Sequence, residues 1–401
     1  MKENRIIWLS LFITSLVFIY FYGGIIPYTY FYIICILPVI TFILNLISFL
    51  RFKFMQEIDI KHVIKGQKIN FNYSIYNEDI LVYPYVSIKF CNSDIIFSQD
   101  LKTVNLSLKP LSSVTNSISL ECRYRGRYTI GIECIEFIDF LGIFKFKYTL
   151  RNPNEITVYP MIININRFNI KTNFASETQS RLSTGLQDYT TVSSIRKYSY
   201  GDSKRSIHWK LSAKMNELLV KKFEYTSEAE TIIMFDLCNY NLSTAEATVV
   251  EDKLVETAVA VLNYCLSNYI KTHFIYYKNS MHNEEANNPS DFARLYEFLS
   301  TVEFDQNIPI SDVADVFLSE TIGKTNLIIF TANLNYSLYN TICKAHITGH
   351  HPILVYISPQ EATGIKYDEE DEIFTALSER GIDTYKLNIS SNTKEVLERQ
   401  Y

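Results

Sequence analysis

The chain has 401 residues, 47% of them apolar and 14% aromatic, with a net charge of −5 from 38 Lys and Arg against 43 Asp and Glu. Tyr (29) and Phe (26) are plentiful and Gly (12) is scarce, which excludes a disordered or low-complexity chain and leaves room for two or three folded domains. A negative balance with one short basic stretch also argues against nucleic acid as a partner, because many phosphate contacts need many cations.

The first segment, 1–51, reads as a transmembrane helical hairpin. Ile6 to Tyr22 and Tyr28 to Leu50 are uncharged apolar runs, each near the ~20 residues that cross a hydrocarbon core. Gly23-Gly24-Ile25-Ile26-Pro27 separates them as an uncharged turn. Trp8, Tyr20, Tyr22, Tyr28, Tyr30 and Tyr32 crowd the flanks, where aromatic rings suit the membrane interface. No small-residue cleavage site divides the two runs, so a cleaved signal peptide is the poorer reading. Lys2 and Arg5 precede the first span, Arg51 and Lys53 follow the second, and the turn carries no cation. The positive-inside rule then places everything after Arg51 in the cytoplasm, anchored to the bilayer through residues 6–50. Seven cysteines without a C-x-x-C pattern suit a reducing compartment and exclude a zinc ribbon.

Residues 52–163 predict a small β-sandwich. Lys68 to Tyr76 alternates polar and apolar residues, the period of a half-buried strand. Val86 to Phe90, Leu101 to Leu108, Ser117 to Cys122, Tyr128 to Phe137 and Phe144 to Thr149 follow at short intervals, many of them divided by turn residues. In Arg125-Gly126-Arg127-Tyr128 the glycine is expected to turn the chain into a strand, with the arginines capping sheet edges.

Residues 164–230 form a polar linker leading into a basic motif. From Ile195 to Tyr225, eight cations (Arg196, Lys197, Lys204, Arg205, Lys210, Lys214, Lys221, Lys222) meet only Asp202, Glu217 and Glu224. Local charge against the global trend marks a partner surface or an internal network. Asp202 or Ser203 is expected to cap a short helix running to about Lys214, with Trp209 read as a buried residue and Leu218 to Tyr225 resuming as a strand.

From Thr231 onward, short apolar strands alternate with helices: a strand at Thr231 to Leu237, a long amphipathic helix at Glu246 to Leu266, then strands at His273 to Tyr277, Asn326 to Thr331, Pro352 to Ile357 and Thr384 to Leu387. Helical patterns lie between them at Phe292 to Val302, Tyr336 to His346 and Asp371 to Arg380. That alternation predicts for 231–401 an α/β domain with a mainly parallel sheet, so that the whole is an α+β multidomain chain.

The basic motif resembles the signature of the DUF58 family, a pattern like R-x-Y-x-x-G-D-x-x-R-x-I-x-W-K-x-x-A, here Arg196, Tyr198, Gly201, Asp202, Arg205, Ile207, Trp209, Lys210 and Ala213. A second block agrees: Arg125 to Tyr128, Asp139-Phe140-Leu141-Gly142-Ile143-Phe144 and Val158-Tyr159-Pro160. The resemblance runs from about residue 52 to the end. It implies that the last domain is von Willebrand A-like, and that the protein works beside a MoxR-type AAA+ ATPase in cell-envelope or complex assembly.

Metal-binding domains of that kind place Asp-x-Ser-x-Ser after the first strand, because Mg²⁺ takes six hard oxygen ligands. This chain reads Asp236-Leu237-Cys238-Asn239-Tyr240. A thiol is a poor Mg²⁺ ligand and Tyr is too long, so Asp236 marks a degenerate site, with no metal or other cofactor expected. Gly323-Lys324-Thr325 lacks the earlier glycine of a P-loop, and His346, His350 and His351 read as a helix end. The expectation is a scaffold or adaptor, not an enzyme. It would touch the ATPase or other membrane and envelope proteins through Arg196, Asp202, Arg205, Trp209 and Lys210, unless those residues lock the soluble domains together. The alternative is a hydrolytic or metal-dependent enzyme using Asp236.

Overall fold

The structure is a computed structural model of the whole chain, and it describes all residues except 1, 92–101, 151–153, 172, 176–191, 200–206, 216, 224–225, 229, 322, 367, 400 and 401. The chain is mixed α/β and divides into two compact units, residues 1–161 with 297–302, and residues 162–296 with 303–401.

The first unit opens with two helices, α1 (Lys2–Tyr22) and α2 (Ile25–Arg51). Both are long and apolar enough to cross a membrane. At 1.5 Å per residue α1 spans about 31 Å and α2 about 40 Å, so α2 outruns a hydrocarbon core of about 30 Å. The turn between them holds Gly23 and Gly24 at φ of 55° and 88°, a conformation open to glycine without strain. Most large apolar side chains of both helices are exposed. The buried stripe of α2 runs through Ile34, Pro38, Thr41, Asn45 and Ser48 at helical spacing.

The strands of this unit are β1 (Lys53–Ile58), β2 (His62–Ile64), β3 (Lys68–Asn77), β4 (Tyr83–Phe90), β5 (Val104–Leu108), β6 (Ser112–Glu121), β7 (Gly126–Ile130), β8 (Ile132–Ile138), β9 (Lys145–Thr149) and β10 (Asn154–Tyr159). They form three sheets, ordered β1-β3-β6, β2-β10-β7 and β5-β4-β8-β9. One core joins them: Ile69, Phe71 and Tyr73 of β3, Val86 and Ile88 of β4, Ile135 and Phe137 of β8, and Ile156 and Val158 of β10 are all buried. These residues alternate along their strands because a pleat turns every second side chain to one face. The single strand expected from Tyr128 to Phe137 is two, β7 and β8, divided at Gly131, where a Cβ would press on the Gln56 side-chain oxygen at 2.9 Å.

The β8–β9 turn is built by Asp139. Its carboxylate is buried and accepts the N–H groups of Phe144 (2.7 Å) and Leu141 (3.3 Å), while Gly142 takes a left-handed φ of 67°. Asn4 and Arg5 at the start of α1 donate to the carbonyls of Leu141 and Ile143, both at 2.9 Å. Phe42 and Phe49 of α2 pack on Phe144, Phe146 and Phe137. The Asp139–Phe144 segment is therefore the clasp between the helices and the strands. Asp139→Ala strips two part-buried N–H groups of their acceptor and is expected to cost about 1–3 kcal/mol. A lowered thermal midpoint of the full chain in detergent is the readout, and an unchanged midpoint would refute the assignment.

Arg125 does not cap a sheet edge, as its motif led us to expect. It is buried, and its guanidinium donates to the carbonyls of Leu299 (2.8 Å), Ser300 (3.3 Å) and Val302 (3.1 Å), in the short segment that groups with this unit. A planar donor with several N–H groups suits a cluster of carbonyls left open where a helix ends.

The second unit contains β11 (Asn173–Ala175), β12 (Val192–Lys197), α3 (Trp209–Met215), β13 (Leu219–Phe223), β14 (Thr226–Glu228), β15 (Thr231–Phe235), α4 (Thr244–Ser267), β16 (Thr272–Lys278), β17 (Ser280–Ala286), α5 (Pro289–Thr301), α6 (Ile310–Glu320), β18 (Asn326–Thr331), α7 (Tyr336–Ile347), β19 (His351–Ile357), α8 (Gln360–Thr363), α9 (Asp368–Glu379), β20 (Asp383–Leu387) and α10 (Thr393–Leu397). Its main sheet is mixed, ordered β17-β16-β15-β18-β19-β20, parallel throughout except for antiparallel β17. The central strands TIIMF, NLIIFT and HPILVYI are wholly buried, the pattern of a sheet covered on both faces. Ser243 and Glu246 close a capping box at the start of α4. Part of the segment expected as linker pairs instead, β11 with β14 and β12 with β13.

Candidate functional site

Strand order reverses at β15: the chain goes outward to β16 on one side and to β18 on the other. The carboxyl ends of β15 and β18 thus flank a topological switch point, where open α/β sheets leave a crevice. Asp236 follows β15 and Thr331 ends β18. The Thr331 hydroxyl donates to Asp236 Oδ2 at 2.6 Å, and the Cys238 N–H donates to Oδ1 at 3.0 Å. Asp236 is only 2% exposed. Burial pushes its carboxyl up to about 6, against the lowering effect of those two hydrogen bonds. The Asn333 N–H in turn donates to Thr331 Oγ1 at 2.9 Å, and the Tyr240 hydroxyl donates to the Asp236 carbonyl at 3.4 Å.

A cavity of about 470 Å³ adjoins this network, lined by Asn239, Tyr240, Asn241, Asn333, Glu369 and Glu370 among others. Burial raises the Glu370 carboxyl, and Cys238 and Tyr240 are raised for the same reason. The donor set fits a hard cation poorly. The one carboxylate beside β15 already has each oxygen engaged, and the two positions that would bring hydroxyls hold Cys238 and Tyr240. Among the described residues no group of three or more His, Cys, Asp and Glu is placed to hold a metal. The histidines sit apart from this site: His350 is buried against Thr325 (3.0 Å), and His351 Nε2 meets Asp383 Oδ2 at 2.9 Å.

The basic motif folds around the β12–β13 pair. Arg196 faces Val220 and Lys197 faces Leu219 across the ladder. Ile207 bridges to Val220 and both are buried. Helix α3 starts at Trp209, with His208 in the cap position: its carbonyl accepts from Leu211 (3.0 Å) and Ser212 (2.9 Å). Ser212 Oγ accepts the Leu219 N–H at 2.9 Å, tying the helix to the strand. Asp202, Ser203 and Arg205 lie outside the described residues, so the expected cap does too. Trp209 is 64% exposed, which corrects its reading as a buried residue. Ile207 and Ser212 occupy the inward positions and leave the first helical residue outside. Arg196 and Lys210 are exposed as well, and Met215 and Leu218 add apolar surface on the same short motif. Lys197 Nζ pairs with Glu217 at 2.6 Å. Arg196, Trp209 and Lys210 are thus each exposed within one sequence motif, and Asp236 lies in a separate, interior network. The hydrogen bond from Thr331 to Asp236 spans 95 positions, and no local sequence pattern records it.

Together these features define a mixed α/β protein with two helices long and apolar enough to cross a membrane and a basic, Trp-bearing motif ahead of its larger sheet. Residues 194–282 match the model of the family described as "Protein of unknown function DUF58". No curated protein matches the chain. Among solved structures it is similar to an aerotolerance-related membrane protein from Bacteroides fragilis carrying multiple mutations to serines, at 13% identity and TM-score 0.29 over 42% of this chain and 95% of that one. It is also similar to the sporulation control protein Spo0M of Bacillus subtilis, at 9% identity and TM-score 0.17 over 27% of this chain and 49% of that one. A β-glucosidase from Listeria innocua follows, at 11% identity and TM-score 0.17 over 27% and 16%. Likenesses at such scores carry no argument about function.

Proposed function

We propose that this chain is a membrane-anchored scaffold whose soluble part faces the cytoplasm and engages a MoxR-type AAA+ ATPase during cell-envelope or complex assembly. In this reading the three-sheet body is a small β-sandwich, and the larger sheet is a von Willebrand A-like domain that has given up its metal. The observation that carries it is that Arg196, Trp209 and Lys210 are all exposed on the basic motif. An exposed Trp flanked by cations has the composition of an interface anchor, because it offers a large apolar area and charge-assisted hydrogen bonds at one spot. The uncharged Gly-Gly turn and the cations at both outer helix ends support the cytoplasmic orientation.

The test is capture from mild detergent with mass spectrometry. The wild type is expected to bring down the ATPase. Trp209→Ala, Lys210→Glu and Arg205→Ala should each reduce recovery several-fold, and Asp236→Asn should leave it intact. No ATPase with the wild type, or equal recovery from every variant, would sink the scaffold reading. One observation favours a second reading: a buried carboxyl pushed up to about 6 beside a polar cavity has the marks of an acid–base group. An enzyme would lose turnover in Asp236→Asn while still binding its partner.

A further inference from the structure

The helix-bearing end of the first unit carries three turns whose tips are apolar. Phe140 tops the β8–β9 turn and is 50% exposed, Ile80 tops the β3–β4 turn at 84%, and Leu111 tops the β5–β6 turn at 72%. Strand register puts all three at the same end as the helices. Lys53, just after α2, pairs with Tyr76; Asn77 pairs with Ser112; Tyr83 pairs with Leu108; Tyr85 pairs with Ile138, which pairs with Lys145.

Side chains fix the turns in that place. Arg51 Nε meets Asp79 Oδ1 at 3.0 Å, and Lys53 meets Glu78 at 2.6 Å. Asn77 Nδ2 donates to the carbonyls of Leu81 (2.7 Å) and Lys109 (2.8 Å), joining two of the turns. Asn4 and Arg5 hold the third. Leu111 also sits at a φ of 51°, where a turn ordinarily uses Gly or Asn. That conformation costs a non-glycine residue backbone strain, and it holds an apolar side chain at the exposed tip of the turn. Of the acidic groups here, Glu78 and Asp79 are paired with Lys53 and Arg51, and exposed Glu3 in the first turn of α1 is accompanied by exposed Lys2 and by Lys109 at the same end.

We infer that this end of the unit rests on the bilayer surface that α1 and α2 enter, with Phe140, Ile80 and Leu111 lodged among the lipid headgroups and upper acyl chains. The occupant follows from continuity: the apolar tips surround the helix ends, and apolar or aromatic residues backed by cations are what an interface accepts. The contact holds the β body at a set height and tilt over the membrane. The inference rests on reading the two helices as spans.

The test places p-benzoylphenylalanine singly at Phe140, Ile80 and Leu111 in the full chain, reconstituted in vesicles of phosphatidylcholine and phosphatidylglycerol. Ile64, at the opposite end of the strands, and Leu16, on the exposed face of α1, serve as references. After illumination, lipid adducts at positions 140, 80 and 111 are expected several-fold above those at 64 and comparable to those at 16. Adducts at 16 but no excess at the three tips over 64 would overturn the inference alone. Adducts at none of the positions, 16 included, would overturn the spanning reading along with it. Tips that crosslink to protein in place of lipid would also overturn it.

Discussion

Phe137→Ala is expected to unfold the first unit under conditions where the second survives. Phe137 is almost wholly buried in β8 and lies at ring-centroid distances of 4.7 Å from Phe52, 5.8 Å from Tyr83 and 6.2 Å from Phe49. It is thus the ring that joins the end of α2 to the β core, and Asn45 reaches its carbonyl at 3.5 Å. Truncating such a residue removes its apolar transfer energy and leaves a cavity, about 3–5 kcal/mol in all. That is a large part of the roughly 5–15 kcal/mol that holds a domain together. Phe137→Leu, which keeps most of the volume, should recover more than half of the loss. Tyr148→Ala is the control, since Tyr148 packs on Phe52 and Phe54 but is partly exposed, and about 1 kcal/mol is expected there. Urea unfolding of the full chain in detergent, followed by limited proteolysis, separates the outcomes. A midpoint for Phe137→Ala no lower than for Tyr148→Ala would show that the ring is not the joint.

Asp236→Asn is expected to make the protein more stable at neutral pH. Burial raises the Asp236 carboxyl to about 6 from the ordinary 3.8, so the folded state holds its proton more tightly than the unfolded state does. Below pH 4 both states are protonated and the group carries no penalty. As pH rises from about 4 through 6, the unfolded chain ionises first, and stability falls by about 3 kcal/mol, at 1.36 kcal/mol for each pH unit between the two values. Asn cannot ionise, yet it can still accept the Cys238 N–H, and its amide can donate to Thr331 Oγ1. The variant should therefore match the wild type near pH 4 and exceed it by up to about 3 kcal/mol above pH 7. Denaturant midpoints measured across pH 4 to 8 check this. A wild type–variant difference that stays flat over that range would show that Asp236 does not titrate between the two values.

Much of the architecture was legible because its signals are local. The uncharged runs at Ile6 to Tyr22 and Tyr28 to Leu50 match α1 and α2 closely, since a helix in lipid needs an unbroken apolar stretch. The buried strands at Thr231, Asn326 and Pro352 are apolar on both faces and could not be misread as exposed loops. Strand β17 was missed because SMHNEEA is an edge strand, mostly exposed and without the alternation of a buried one. Helix α6 was missed although Ile310, Val313, Ala314 and Phe317 carry the helical period; that signal was there to be read. Trp209 was misplaced because a large aromatic residue is read as buried by default, and only packing decides which side of a short helix faces inward.

By itself the sequence determined the two apolar helices, the switch from strands to alternating strands and helices at Thr231, and the family motif from Arg196 to Ala213. Those are properties of neighbouring residues, set by periodicity, turn chemistry and the length of an apolar run. Only the tertiary structure decided that Thr331 covers Asp236, that Asn4 and Arg5 clasp the turn at Leu141 and Ile143, and that Arg125 reaches the carbonyls near Ser300. Each of these joins residues roughly a hundred or more positions apart. Such contacts depend on strand order and on which side chains are left facing inward once the sheets have formed, and no local pattern records either.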